Sequence, residues 1–129
     1  MRRTFIALLS AFGIWSASAS AQNAPETLTV TLSSYAFAPD SITLRAGVPV
    51  RLHLVNSADK GHSFSAPEFF AAASVAPADQ SKVENGEVEV DPGQSVDLSV
   101  TPARAGTYSL DCSHFLHAIM GMRGHIAVG

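Results

Sequence analysis

The strongest constraint on the fold is the one-for-one alternation of apolar and polar residues in short segments. Leu28, Val30 and Leu32 alternate with threonines, and the same period recurs at 42–44, 48–54, 88–90, 96–100, 108–112 and 126–128. A period of two is typical of β-strands that bury one face. Turn-forming residues, such as those at 85–86 and 91–93, separate the segments. The pattern predicts an all-β Greek-key sandwich or barrel of about seven to eight strands.

One stretch, residues 65–81, does not follow the alternation. Pro67 and Glu68 precede two phenylalanines and three alanines. A proline in the first turn and an acidic residue near the positive end are typical of a helix start. We therefore expect one short helix around residues 67–75, lying over one end of the sandwich.

The first residues have the features of a secretory signal peptide. Two arginines follow Met1, residues 5–15 are mostly apolar, and residues 19–21 place alanines at the two positions that signal peptidase reads. We expect cleavage after Ala21, which leaves residues 22–129 as a single domain exported to the periplasm. No stretch of the sequence reaches about 18 consecutive apolar residues, so we expect no membrane span in the mature chain.

Charge and cysteine content narrow the possible partners and chemistry. The formal net charge is −3, which offers no basic surface to the phosphates of a nucleic acid, so we expect no nucleic-acid partner. The chain contains one cysteine, which cannot form an internal disulfide. In an oxidising exported compartment a lone cysteine indicates a metal ligand, an intermolecular bridge or a reactive thiol.

One short segment near residue 115 collects side chains that bind soft metals. Cys112, His117 and Met122 form the spacing Cys-x4-His-x4-Met, and Cys112 is in phase with the inward residues of its strand. The loop after Cys112 can fold His117 and a methionine over the same point, and His62 is the candidate for a fourth ligand. Two imidazoles, a thiolate and a long axial thioether are the ligand set of a blue-copper electron-transfer site.

Two other residues of this segment leave alternatives open. Met120 is the second choice for the thioether ligand in place of Met122. His114 suits an exposed loop residue, which is the interpretation we favour. Alternatively, His114 and Met120 provide an accessory path by which copper is loaded into the main site.

Because of these residues and their spacing, the chain resembles the cupredoxin family, especially its plastocyanin- and azurin-like periplasmic copper proteins. The resemblance covers nearly all of the mature chain, and the residues that carry it are Tyr35-Ala36-Phe37-Ala38-Pro39, Asn56, His62-Ser63-Phe64, Asp91-Pro92-Gly93, Ala105-Gly106-Thr107-Tyr108 and the segment from Cys112 to Gly124. It implies one copper ion with His62, Cys112 and His117 as equatorial ligands and Met122 as the axial one.

The resemblance also implies roles for residues around the ligands. Members of the family place Asn or Ser directly after the first histidine, so Ser63 and Ser113 are expected to hydrogen-bond and to fix the site. The ligand loop lies at one end of the sandwich, where an apolar patch around His117 would dock redox protein partners transiently. The residues of this patch are Phe115, Leu116, Ala118, Ile119 and Gly121.

The function implied is that of a monomeric carrier that shuttles single electrons between redox partners through Cu(I) and Cu(II), and not that of an enzyme. A copper oxidase or reductase needs further copper sites, for which this sequence lacks ligands. The alternative is a periplasmic copper carrier, chaperone or copper-sequestering protein, which would use the same ligands. The inward position of Cys112 favours electron transfer, whereas the loop rich in histidine and methionine favours delivery.

Overall fold

Two five-stranded β-sheets pack face to face in the computed structural model, which describes residues 13–14 and 24–129. The strands of this part of the chain are β1 (Glu26–Ser33), β2 (Ala36–Ala38), β3 (Ser41–Leu44), β4 (Val50–Asn56), β5 (His62–Ser65), β6 (Ala73–Val75), β7 (Glu87–Val90), β8 (Ser95–Pro102), β9 (Gly106–Asp111) and β10 (Arg123–Val128). One sheet has the order β2-β1-β4-β8-β6 and the other β3-β10-β9-β5-β7. The predicted all-β sandwich is confirmed.

The alternation of residues is the reason that these segments form a sandwich. Val30 and Leu32 of β1 and Leu52 and Leu54 of β4 are all buried between the sheets, because every second side chain of a strand points to the same face. β1 runs parallel to β4, and β3 runs parallel to β10. Parallel neighbours cannot be joined by hairpins, so the chain crosses between the two sheets.

The structure has more strands than the period of two indicated. β2 and β6 are three residues long, which is too short for an alternation to be visible in the sequence. Val48, which the pattern placed at the start of a strand, lies before β4 and is 50% exposed. The strands β2 and β6 lie at the edges of one sheet. A third strand that the alternation did not indicate, β5, lies inside the other sheet between β9 and β7, and all four of its residues are buried.

The single predicted helix is present but shorter than expected. Helix α1 (Pro67–Ala71) begins at the predicted proline and buries Phe69 and Phe70. Residues 73–75 were expected to continue the helix, but they pair with β8 as β6. A short 3₁₀ helix (Pro77–Lys82), which the sequence did not predict, follows that strand.

Aromatic side chains fill the core beneath β5. Phe64 is completely buried, and its ring lies 6.1 Å from Phe37 and 6.2 Å from Phe70 in edge-on arrangements. Such geometry is favourable for aromatic pairs. The buried ring of Phe64 therefore anchors β5, the strand that begins with His62, in the core.

The predicted signal peptide, residues 1–21, lies outside the described residues except for Gly13 and Ile14. Within the described part of the chain, no helix combines the length and the apolar character that crossing a membrane would require.

Candidate metal centre

Three metal-binding atoms converge at one end of the sandwich. The Nδ1 atoms of His62 and His117 are 3.1 Å apart, and the Sγ atom of Cys112 lies 3.5 Å from Nδ1 of His117 and 3.9 Å from Nδ1 of His62. Metal bonds to imidazole and thiolate are about 2.0–2.3 Å long, so ligands in one plane around an ion lie roughly 3.5–4 Å from each other. The spacing of these three atoms fits a single ion.

The topology explains why residues so distant in sequence meet here. His62 begins β5, and Cys112 follows β9, which lies beside β5 in the same sheet. His117 lies in the loop that joins β9 to its other neighbour, β10. The backbone closes this loop, because the N–H of Cys112 donates to the carbonyl of Met122 (3.3 Å) and the N–H of Met122 donates to that of His117 (3.1 Å).

The surroundings keep the two imidazoles in the form that binds metals. His62 and Cys112 are buried and His117 is half-buried. Burial is the main cause that lowers the pKa of both ligand histidines below its usual value, followed for His62 by the neighbouring His117 and for both by His114 and Lys60. A lowered pKa keeps an imidazole neutral near pH 7, with a lone pair free for a metal. A soft thiolate beside two imidazoles is a donor set that suits copper.

Comparison with known proteins settles the family. A family model described as "Cupredoxin-like domain" matches residues 5–128. The chain belongs to the cupredoxin family. In this cupredoxin, His62, Cys112 and His117 are arranged to bind one copper ion. No curated protein matches the sequence.

Solved structures share the cupredoxin fold. Reduced auracyanin from the photosynthetic bacterium Roseiflexus castenholzii has a TM-score of 0.62 at 17% identity, over 83% of this chain and 99% of that one. Auracyanin A from Chloroflexus aurantiacus, a "blue" copper protein, has a TM-score of 0.60 at 17% identity, over 82% and 100%. A multicopper oxidase from Campylobacter jejuni has a TM-score of 0.59 at 13% identity, over 97% of this chain but 34% of that one. At these identities the likeness shows the fold alone.

Around the cupredoxin ligands, two serines connect the strand of His62 to the segment after Cys112. The Oγ atom of Ser63 accepts a hydrogen bond from the backbone N–H of Ser113 (2.8 Å), and the two hydroxyls are 2.9 Å apart. The backbone N–H of Ser63 donates to Sγ of Cys112 at 3.4 Å, and its hydroxyl lies 3.8 Å from the same sulfur. The thiol sulfur therefore has two donors within reach before any metal binds.

His62 has a hydrogen-bond partner that the sequence did not predict. The hydroxyl of Ser34 lies 3.1 Å from Nε2 of His62. A metal at Nδ1 requires the proton on Nε2, which can then donate to this hydroxyl and fix the ring. Ser34 lies in the turn directly after β1, 28 residues before His62, and no spacing in the sequence pairs the two residues.

Asn56 supports the turn that precedes His62. It is buried, and its Nδ2 atom donates to the carbonyls of Lys60 (2.7 Å) and Val90 (2.9 Å), while its Oδ1 atom accepts from the N–H of Ala58 (2.9 Å). One side chain therefore satisfies three backbone groups and fixes the chain just before the first ligand. Asn56 is one of the residues that carry the family resemblance, but the sequence alone predicted no role for it.

The two candidate methionines have different surroundings. Met122 is completely buried, and its backbone bonds to both Cys112 and His117. Met120 is 60% exposed.

The predicted docking residues lie on the outside of the ligand loop. Phe115 and Ile119 are 87% and 75% exposed, and Leu116 is half exposed. Gly121 is exposed and Ala118 is half-buried. His114, expected to be an exposed loop residue, has 33% of its side chain exposed and contacts both Glu89 and His117.

Proposed function

We propose that this cupredoxin is a periplasmic blue copper protein that carries single electrons between redox partners. The mature protein is the monomeric domain of residues 22–129, released by cleavage after Ala21. The observation that carries the proposal is the buried sulfur of Cys112, which lies within 3.9 Å of the Nδ1 atoms of two histidines. A thiolate combined with two imidazoles suits electron transfer, whereas a carrier that only exchanges Cu(I) does not need an inward thiolate.

The protein's part in electron transfer is to hold its ligands still. Copper bound here supplies a one-electron couple between Cu(I) and Cu(II). His62 is held by Ser34 and by the loop fixed by Asn56, and Cys112 by the donors at Ser63. Ligands that are fixed by the fold rearrange little when an electron arrives or leaves. His117 is the ligand nearest the solvent, so electrons pass through its edge.

We assign the axial position to Met122. Its complete burial and its backbone bonds to the ligand loop support this assignment, because a weak thioether ligand must be held close to the ion by the fold. Met120, the second choice, has most of its side chain in solvent. We also assign to Ser63 and Ser113 the task of fixing the two segments that carry His62 and Cys112.

The test of the function is to load the mature protein with Cu(II) and to record its visible and EPR spectra. An electron carrier gives an intense thiolate-to-copper absorption band that a reductant bleaches and an oxidant restores. A colourless protein that retains only Cu(I) would contradict the proposal and would favour the copper carrier or sequestering protein. The exposed thioether of Met120 is the observation that favours this second candidate.

The variant Ser63→Ala tests the role of the serines. Loss of the hydroxyl removes the link to Ser113 and one donor near the sulfur of Cys112. A sulfur with fewer donors binds Cu(II) more strongly relative to Cu(I), so we expect a lower reduction potential, by on the order of tens of millivolts. Cyclic voltammetry measures the change. An unchanged potential and spectrum would exclude the proposed role of Ser63.

The variant Ile119→Lys tests the apolar docking patch. A positive charge at this 75% exposed position repels a second copy that approaches through the same patch. We expect electron self-exchange, measured by NMR line broadening in mixtures of oxidised and reduced protein, to slow by about tenfold or more at low ionic strength. The copper spectrum should not change.

The matched control is Val48→Lys, which adds the same charge at an apolar position that is also exposed but lies outside the ligand loop. If Val48→Lys slows self-exchange as much as Ile119→Lys does, the effect is not specific to the ligand loop and the patch is not the docking surface.

A further inference from the structure

We propose that Glu89 and His114 form a positioning pair that holds the imidazole ring of His117 in its ligand orientation, with or without a metal. This inference rests on the proposed copper site and assigns to its most exposed ligand a support that the sequence did not predict. Neither residue of the pair contributes an atom to the cluster of His62, Cys112 and His117.

The first observation is a stack of two rings. The rings of His114 and His117 are nearly parallel, at 11°, with centroids 5.3 Å apart, which is an offset stack. Tyr35 contacts the ring of His117 as well, with centroids 5.0 Å apart at an angle of 60°. Two aromatic contacts therefore restrict how far the ring of His117 can turn about its side-chain bonds.

The second observation is that His114 is itself anchored. Its Nε2 atom lies 2.7 Å and 2.9 Å from the two carboxylate oxygens of Glu89. A carboxylate can only accept, so Nε2 of His114 donates the hydrogen bond and its ring orientation is determined. Glu89 lies in β7 directly opposite Ser63 of β5. The pair therefore connects the ligand loop to the strands on the His62 side of the site.

The backbone leaves room for this pair. A Cβ atom added to Gly61 would lie 3.0 Å from Oε1 of Glu89 and 3.4 Å from Cε1 of His114. The first distance is tighter than an ordinary contact, so a larger residue here would displace the Glu89 carboxylate by a few tenths of an ångström, whereas the second is an ordinary contact. The pair therefore packs closely against the backbone directly before His62.

The pair contacts His117, the ligand of the three that the fold holds least firmly. His62 and Cys112 are buried in the fold, whereas His117 lies on a loop and is only half-buried. A loop ligand that turns freely in the metal-free protein must be ordered each time a metal binds, and ordering a side chain costs free energy. A ring that is already stacked avoids part of this cost and resists displacement once the metal is bound.

The variants His114→Ala and Glu89→Ala test the proposal, with His53→Ala as the matched control. His53 forms a similar surface pair with Asp97, with its Nδ1 atom 2.6 Å from the carboxylate, and is not part of the metal cluster. Circular dichroism and urea unfolding first establish that each variant is folded.

The main measurement is NMR of the histidine ring signals in the metal-free protein, which does not depend on the spectrum or activity of bound copper. We expect one sharp set of His117 ring signals in the wild type and in His53→Ala. In His114→Ala these signals should broaden or split, because the ring samples more than one orientation. Glu89→Ala should cause a smaller change in the same direction, because the stack loses its anchor but not its ring.

The second measurement is the rate at which Cu(I) is transferred to a competing chelator. We expect His114→Ala to release copper faster by on the order of fivefold, the size of effect that one aromatic pair produces, and His53→Ala to match the wild type. Unchanged His117 ring signals in a folded His114→Ala protein would overturn the proposal, as would equal effects of His114→Ala and His53→Ala on these signals. A wild type without the intense copper band but with the expected ring signals would instead contradict only the proposed function.

Discussion

The variant Cys112→Ser will lose the intense visible absorption of the copper-loaded protein. The band arises from charge transfer between a thiolate and copper, and Cys112 is the only cysteine of the chain. A serine hydroxyl is nearly the same size but is a harder donor and is not ionised at neutral pH. The expected result is complete loss of the band. Wild type and variant are compared by visible and EPR spectroscopy after loading with one equivalent of Cu(II).

Two methionine variants show whether the change is specific to the thiolate. Met122→Leu should keep the band but change the potential and the EPR signal, because a weak axial ligand tunes the site without creating the absorption. Met120→Leu should resemble the wild type. A Cys112→Ser protein that keeps the full band would exclude a thiolate–copper site. An effect of Met120→Leu larger than that of Met122→Leu would reverse the assignment of the axial ligand.

The variant Phe64→Ala will lower the free energy of unfolding by about 3–5 kcal/mol, the cost typical of removing a buried phenylalanine ring. Phe64 is completely buried, between Phe37 and Phe70. Removing its ring takes away both aromatic contacts and leaves a cavity that rigid strands cannot close. Domains of this size are stable by only about 5–15 kcal/mol, so the loss is a large fraction of the total.

Urea unfolding of the metal-free protein measures this loss. Metal must be removed with a chelator, because a ligand that binds only the folded state raises the apparent stability. Val48→Ala is the control, since its side chain is half exposed and its removal should change the free energy of unfolding by less than about 0.5 kcal/mol. A change of under about 1 kcal/mol for Phe64→Ala would mean that this aromatic cluster is not part of a tightly packed core.

The sequence predicted those parts of the molecule whose signal is local. The period of two revealed the long strands, as in Val30 and Leu32 of β1, because burial of one face requires an apolar residue at every second position. The ligand loop was recognisable because Cys112, His117 and Met122 lie within eleven residues. The three-residue strands β2 and β6 are too short to show this alternation, and only their pairing with a neighbouring strand defines them.

Contacts between distant residues could not be predicted, because they depend on strand register. The bonds of Ser34 to His62 and of Glu89 to His114 join residues 28 and 25 positions apart. Glu89 is one of several acidic residues between positions 84 and 91, and no local pattern distinguishes it from the others. Only the pairing of β7 with β5 brings its carboxylate to the ligand loop. Likewise, the helix was expected to reach residue 75 because nothing local revealed that β8 would pair with residues 73–75.

The crossing of the chain between the two sheets also affects the stage of folding at which the three ligands come together. His62 lies in the middle of the chain, and His117 lies in a loop whose closing strand, β10, pairs with both β9 and the much earlier β3. Such distant pairings form late in folding, because closing long loops costs entropy before the contacts compensate for it. His117 follows Cys112 closely in the sequence, but His62 reaches them only when β5 lies beside β9. The complete set of three ligands therefore requires the folded sheet, whereas the thiol and one imidazole are adjacent in any state of the chain.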